Sequence, residues 1–120
     1  MKARHVLAID QGTTNTKALL VDETGLVLAR ASAPLCTTYP KAGWAEQSAD
    51  AIWASVHTVL ADIVAQTDKP IDSIAITNQR ETLVVWDGRT SKPICPAIIW
   101  QCRRTATQCE ALKAHNTQVR

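Results

Sequence analysis

The chain has 120 residues, of which 46% are hydrophobic and 20% are charged, and its formal net charge is +2. This length accommodates one domain or part of one, and the hydrophobic fraction is that of a globular protein. The thirteen basic residues are nearly balanced by eleven acidic ones. We therefore expect neither a nucleic-acid nor a membrane partner. The apolar run that ends at Asp10 is too short for a signal peptide, so we expect a cytoplasmic protein.

Three short apolar runs in the first thirty residues predict β-strands, over 6–9, 18–21 and 26–29. The connections between them are too short for the crossover that a parallel pair of strands needs, so we expect antiparallel hairpins. Prolines and a glycine within 33–47 then predict a loop.

A helix is predicted over 49–66, with Ser48 as its N-cap and an end before Pro70. Its apolar residues recur at helical spacing. They are Ile52, Val56, Val59, Leu60 and Ile63.

Further apolar runs predict strands over 74–76, 83–86 and 97–99, and we expect the first of them to be buried. The spacing of four later residues predicts a second amphipathic helix, and the basic pair 103–104 is interpreted as its solvated start. Those four residues are Cys102, Ala106, Cys109 and Leu112. Strands mixed with helices, without a repeat or a linker, predict one compact α/β unit.

The chain contains four cysteines, none of them close enough to another for a zinc site. Such sites usually place two ligands two to four residues apart. We therefore expect buried, reduced thiols. The cysteines are Cys36, Cys95, Cys102 and Cys109.

A polar segment over 10–15 follows the first predicted strand. Gly12 lacks a Cβ and lets backbone amides approach an anion, and the residues after it add side-chain donors, which suits a phosphate. Asp10, at the strand end, is suited to hold Mg²⁺ through water. The candidate phosphate-binding residues are Gly12, Thr13, Thr14, Asn15 and Lys17. The segment equally suits a plain hairpin turn and is neither a Walker A loop nor a Rossmann fingerprint, so both interpretations stay open.

A second polar segment, over 78–82, lies between two predicted strands. Arg80 can donate and Glu81 can accept hydrogen bonds to vicinal hydroxyls, with Trp100 as an apolar wall behind the carbons of a polyol. The alternative is a turn with a structural ion pair.

Four segments occur in the order AIDQGTT (8–14), YPKAGWAE (39–46), ITNQRET (76–82) and IWQCRRT (99–105). Together they resemble the FGGY family of carbohydrate kinases, in particular its glycerol-phosphorylating members, and the resemblance covers nearly the whole chain. It implies an actin-like ATPase (ribonuclease H-like) α/β fold with a mixed sheet and flanking helices. Residues 1–120 would be the N-terminal part of the first lobe, with the rest of that lobe and the second lobe absent.

The resemblance also implies chemistry: transfer of the ATP γ-phosphate to glycerol, which gives glycerol 3-phosphate, with Mg²⁺ as cofactor. Asp10 would serve Mg²⁺, the candidate phosphate-binding residues would hold ATP, and Arg80, Glu81 and Trp100 would bind glycerol. The complete enzyme is expected to be a homo-oligomer. The catalytic base would lie beyond residue 120, so no catalytic residue is assigned here and the chain alone is expected to be inactive.

One departure from the family concerns residues 15–17, which read Asn-Thr-Lys where these kinases usually read Ser-Ser-Arg. Lys17 keeps the charge but lacks the bidentate guanidinium fork. This departure leaves another polyol or sugar open as the substrate. The alternative outside the enzymes is a non-catalytic module that binds polyol or phosphate.

Overall fold

The computed structural model describes residues 4–115, which form two sheets and two helices. The strands are His5–Gln11 (β1), Asn15–Asp22 (β2), Val27–Pro34 (β3), Glu46–Gln47 (β4), Ser73–Asn78 (β5) and Ala97–Ile98 (β6). The helices are Ala49–Gln66 (α1) and Ala106–Ala114 (α2).

The main sheet is mixed and has the strand order β3-β2-β1-β5. β1 pairs with β2 and β2 pairs with β3 in antiparallel register, which confirms the two predicted hairpins. β5 returns to the sheet through α1 and pairs with β1 in parallel, because a helical crossover is long enough to reverse the chain direction twice.

α1 has the bounds that its cap and periodicity predict. The Ser48 side chain accepts a hydrogen bond from the Ala51 N–H at 3.2 Å, which satisfies one of the free donors of the first turn. Val59 and Ile63 are fully buried against β2 and β3, and the other predicted apolar positions are half-buried. The core of the sheet consists of Leu7, Ile9, Ala18, Leu20, Ala29, Ala33, Val59 and Ile63.

A second, two-stranded sheet pairs β4 with β6 and was not predicted, since β4 lies in the expected loop over 33–47. The predicted strand over 83–86 is wrong. Leu83 forms a single bridge to Ile98, and Trp86 forms a single bridge to Pro93. The second bridge is held by hydrogen bonds from the Ile94 N–H to the Val85 carbonyl at 3.0 Å and from the Asp87 N–H to the Lys92 carbonyl at 2.9 Å, and it does not continue into a ladder.

Two elements lie outside the packed core. β5 confirms the strand predicted over 74–76, but the expectation that this strand is buried is wrong. Every residue of β5 is exposed, including Ile74 at 59% and Ile76 at 70%. α2 contains no buried residue and begins at Ala106, so the second helix is confirmed but its apolar side has no packing partner among the described residues.

All four cysteines are free thiols, but the expectation that they are buried is wrong. Cys102 is half-buried and the other three are exposed, because the segments that carry them lie outside the packed faces of the sheets. Within residues 4–115, no helix combines the length and the apolar character needed to cross a membrane.

Candidate functional site

The turn between β1 and β2 is closed by the backbone of Gly12. Its N–H donates to the Asn15 carbonyl oxygen at 3.0 Å. A Cβ at position 12 would lie 2.9 Å from that same oxygen, closer than such atoms approach, so the turn requires glycine. The Thr14 carbonyl accepts from the Leu35 N–H at 2.8 Å, which ties the turn to the end of β3.

Asp10 and Lys17 lie on the face of the sheet opposite α1. The two residues are paired in the antiparallel register of β1 and β2, and both are exposed. Directly paired residues project from the same face. The structure therefore presents one carboxylate and one ammonium group side by side, next to the turn.

The polar segment over 78–82 begins at the end of β5, the strand that is parallel to β1. The end of β1 therefore points to the same edge of the sheet. At this edge lies a cavity of about 290 Å³. It is lined by Gly12, Thr13, Asn78, Gln79, Arg80, Glu81 and Trp100.

This cavity brings together two of the five candidate phosphate-binding residues and all three candidate polyol-binding residues. The indole Nε1–H of Trp100 donates to the Thr13 hydroxyl at 2.8 Å, so the proposed apolar wall is bonded directly to the turn. The remaining candidates do not line the cavity. These are Asp10, Thr14, Asn15 and Lys17.

Arg80 and Glu81 form a turn with both side chains exposed. Among residues 4–115 they make no ion pair, so the alternative of a structural ion pair does not describe this turn. Glu81 has a φ of 61°, in the left-handed region that residues other than glycine adopt at an energetic cost of about 1–3 kcal/mol. Such backbone strain concentrates at ligand sites.

A network of glutamine side chains connects the two halves of the cavity, and it was not predicted from the sequence. Gln47 is 1% exposed, and its Nε2 donates to the Thr13 carbonyl at 2.7 Å and to the Thr37 hydroxyl at 3.0 Å. Its Oε1 accepts from Gln79 Nε2 at 3.0 Å. The one available signal was position, since Gln47 adjoins the segment 39–46 that carries the family resemblance.

Arg104 is packed and paired, which corrects its interpretation as part of a solvated helix start. Its Nη2 lies 2.6 Å from Glu46 Oε1, and its guanidinium carbon lies 3.8 Å from the centre of the Trp44 ring. Its Nε donates to Cys102 Sγ at 2.9 Å. Arg103 is exposed.

These contacts shift the pKa of the Cys102 thiol. Partial desolvation raises this pKa, but the hydrogen bond from Arg104 and backbone hydrogen bonds outweigh it, so the net pKa lies below its ordinary value. The pKa of Arg104 is raised by the same bond and by its bond to Glu46. This cluster joins β4 to the segment before α2.

Comparison with known proteins identifies the class. The model of the N-terminal domain of the FGGY family of carbohydrate kinases matches residues 5–120. The chain therefore belongs to the FGGY family of carbohydrate kinases, which confirms the resemblance in its motifs.

Three relatives show how far the similarity extends. The chain is 48% identical over 116 residues to the glycerol kinase of Desulforamulus reducens, which covers 94% of this chain and 23% of that protein. It superposes on Plasmodium falciparum glycerol kinase with ADP at a TM-score of 0.84 and 29% identity, over 92% of this chain and 23% of that one. It superposes on the xylulose kinase of Rhodospirillum rubrum at a TM-score of 0.87 and 30% identity, over 93% of this chain and 23% of that protein.

These superpositions confirm the expected α/β fold class, with its mixed sheet and flanking helices. The chain spans about a quarter of the length of the relatives it matches.

Proposed function

We propose that residues 1–120 are the N-terminal part of the first lobe of an ATP-dependent kinase that phosphorylates glycerol to glycerol 3-phosphate. The observation that carries this proposal is the cavity in which Gly12 and Thr13 face Arg80, Glu81 and Trp100. A phosphate-binding turn and a polyol-binding segment are useful to a kinase only when they share one site, because phosphoryl transfer depends mainly on positioning and charge stabilisation.

The polyol half of the site offers complementary hydrogen bonding. The Arg80 guanidinium donates, the Glu81 carboxylate accepts, and the Trp100 ring supplies an apolar surface. Vicinal hydroxyls need both donors and acceptors, with an apolar surface behind the carbons. Both charged side chains are exposed in this chain, so they are free to turn toward a substrate.

The residues of the turn fit the phosphates of ATP. Gly12 closes the turn against the Asn15 carbonyl, and the hydroxyls of Thr13 and Thr14 and the side-chain amide of Asn15 offer donors to phosphate oxygens. Lys17 adds a positive charge on the adjacent face of the sheet. When bound, ATP supplies the phosphoryl group that is transferred.

Asp10 fits Mg²⁺. Its Oδ1 lies 4.0 Å from the position that a Cβ would take at Gly12, so the carboxylate borders the phosphate turn. Mg²⁺ in kinases is commonly held by one or two carboxylates together with phosphate oxygens and water. One carboxylate at the turn meets that requirement.

The relatives are about four times as long as this chain. In the proposed kinase this segment would supply the turn, the metal carboxylate and part of the polyol site, and the general base would lie in the remainder of the enzyme. The 120-residue chain alone is therefore proposed to be inactive, and the complete kinase is proposed to be a cytoplasmic homo-oligomer.

A kinase for another polyol or sugar is the second candidate. The xylulose kinase of Rhodospirillum rubrum matches this chain as well in fold as the glycerol kinase of Plasmodium falciparum does, with TM-scores of 0.87 and 0.84. Lys17, in place of the usual arginine, also distinguishes this turn from the one expected for glycerol kinases. A non-catalytic remnant that binds polyol or phosphate remains the alternative outside the kinases.

The test begins with the intact mass of the protein in its native source, followed by an ADP-release assay of that protein on glycerol, xylulose and gluconate. A mass several times that of 120 residues, with ADP release on glycerol, supports the proposal. Release on another substrate alone supports the second candidate. A native chain of 120 residues without release contradicts a kinase and leaves the binding remnant.

Arg80→Ala in the complete kinase tests the polyol half of the site. We expect KM for the polyol to rise and kcat/KM to fall about 10- to 100-fold, because one charged hydrogen bond contributes about 1.5–3 kcal/mol. Arg89→Ala is the matched control, since Arg89 is also exposed and does not line the cavity. Equal kcat/KM in the two variants would contradict the assignment of Arg80.

A further inference from the structure

The side-chain amide of Gln47 is the strongest feature that the proposed function does not use. It is buried to 99%, since its exposed fraction is 1%, and every polar group it carries is bonded. One N–H reaches the Thr13 carbonyl, the second reaches the Thr37 hydroxyl, and the oxygen accepts from Gln79. A buried amide is tolerated when its partners are complete, and a complete set fixes its orientation.

Two of the three residues that the Gln47 side chain contacts line the cavity. Thr13 belongs to the phosphate turn, and Gln79 immediately precedes Arg80 in the polyol segment. Gln79 also donates to Gln11 Oε1 at 3.3 Å and accepts from the Thr82 hydroxyl at 3.0 Å. The backbone N–H of Gln79 also donates directly to the Gln11 carbonyl at 2.8 Å. The polyol segment is therefore anchored at the end of β1 by Gln79 itself, and the Gln47 amide extends this connection to Thr13.

We propose that Gln47 is a positioning residue, whose amide bridge through Gln79 sets the separation between the phosphate turn and the polyol segment. The proposal rests on the proposed function, because it states how the two halves of that site are aligned. Transfer requires the acceptor oxygen and the γ-phosphate to be in line and close, and a displacement of about 1 Å can cost on the order of 10²-fold in rate. The bonded amide pair of Gln47 and Gln79 would provide that alignment within this segment.

The chemistry of the bridge is specific to glutamine. A glutamate at position 47 would keep the acceptor for Gln79 but lose the donor to Thr13, and would place a buried charge against a carbonyl oxygen. Methionine has a similar length and volume and lacks both strong donors and acceptors. Gln47→Met therefore removes the bridge with little change in packing.

A double-mutant cycle tests whether the two amides act as one unit. In the complete kinase, we expect Gln47→Met and Gln79→Met each to lower kcat/KM about 10- to 100-fold. The double variant is expected to fall within about 3-fold of the worse single variant, since residues in one network are not additive. Multiplicative losses in the double variant would overturn the proposal.

Gln66→Met is the matched control for loss of an amide crosslink. Gln66 also bridges two elements, with hydrogen bonds from α1 to both the N–H and the carbonyl of Arg30 in β3, but it lies outside the cavity. We expect Gln66→Met to lower the melting temperature while kcat/KM changes less than about 3-fold, and to combine multiplicatively with Gln47→Met. If Gln66→Met lowers kcat/KM as much as Gln47→Met does, the role of Gln47 is only structural.

Amide hydrogen exchange of the same proteins gives a readout that does not depend on turnover. We expect Gln47→Met to increase exchange in both segments 11–16 and 78–82, and Gln66→Met to increase it in neither. Faster exchange in only one of the two segments would overturn the bridge. A native protein without kinase activity would refute the proposed function, and the exchange result alone would then decide whether Gln47 couples the two segments.

Discussion

At the scale of single residues, Glu81 combines a strained backbone with a proposed substrate contact. Its φ of 61° costs free energy that glycine would not incur. We expect Glu81→Gly to melt at a higher temperature than Glu81→Ala, because both variants lose the carboxylate and only alanine keeps the strain. The expected difference in the free energy of unfolding between the two variants is about 1 kcal/mol.

Both Glu81 variants are expected to raise KM for the polyol by the same factor, since the contact is lost in each. Thermal unfolding and steady-state kinetics of the complete kinase measure the two effects separately. If Glu81→Ala melts as high as Glu81→Gly, the left-handed conformation carries no strain. If KM is unchanged in both, Glu81 does not bind the substrate.

Cys102 gives a prediction that depends on pH. Because its pKa is lowered by Arg104, its thiolate forms at a lower pH than that of an ordinary thiol. Arg104→Gln removes the charged donor and should shift the midpoint of Cys102 alkylation by iodoacetamide to higher pH. Arg103→Gln is the control, since Arg103 is exposed and makes no bond to this sulfur. A midpoint that is equal in both variants would show that Arg104 does not stabilise the thiolate.

At the scale of elements, β5 is an edge strand with exposed isoleucines. Its outer edge offers unpaired backbone groups, and Ile74 and Ile76 are more than half exposed. Such an edge pairs readily with another chain. We therefore expect the 120-residue chain to associate with itself at micromolar concentration, as measured by sedimentation velocity.

A charge on β5 should weaken this association. We expect Ile76→Lys to shift the chain toward monomer, whereas Leu26→Lys, in the turn between β2 and β3, should not, although Leu26 is 61% exposed. A monodisperse monomer for the unsubstituted chain would contradict the prediction.

The sequence predicted local elements better than pairings between distant ones. The bounds of α1 were correct because Ser48 and the apolar periodicity act within the helix itself. The strand predicted over 97–99 contains β6, but its pairing was missed because β4 has two residues, too few for an alternation pattern. The run over 83–86 has the composition of a strand but forms only single bridges. Composition does not show whether a run of residues has a partner strand.

The candidate site was predictable where motifs carry side-chain chemistry, as with Arg80, Glu81 and Trp100, which the structure brings into one cavity. Their roles stay predictions. The bridge of Gln47 and Gln79 was not predictable, because it depends on side-chain orientation between residues 32 positions apart. The pairing of Arg104 with Glu46 was missed for the same reason.

At the scale of the whole molecule, the expectation of one compact unit is wrong. The radius of gyration is 18.4 Å, against about 14 Å for a compact chain of this length. The extents of 59 × 29 × 29 Å describe an elongated body. The main sheet carries α1 on one face, and the small sheet of β4 and β6 is bonded to the turn between β1 and β2 through Gln47 and Thr13.

The order of the elements along the chain also has a consequence for synthesis. The three antiparallel strands end at Pro34, but the helix that covers them ends at Gln66, so a ribosome exposes the apolar face of the sheet while about thirty further residues are made. At about 5–20 residues per second, that interval lasts a few seconds. During those seconds the nascent chain exposes the apolar face of its three antiparallel strands, which is the kind of surface that makes incomplete chains prone to aggregate.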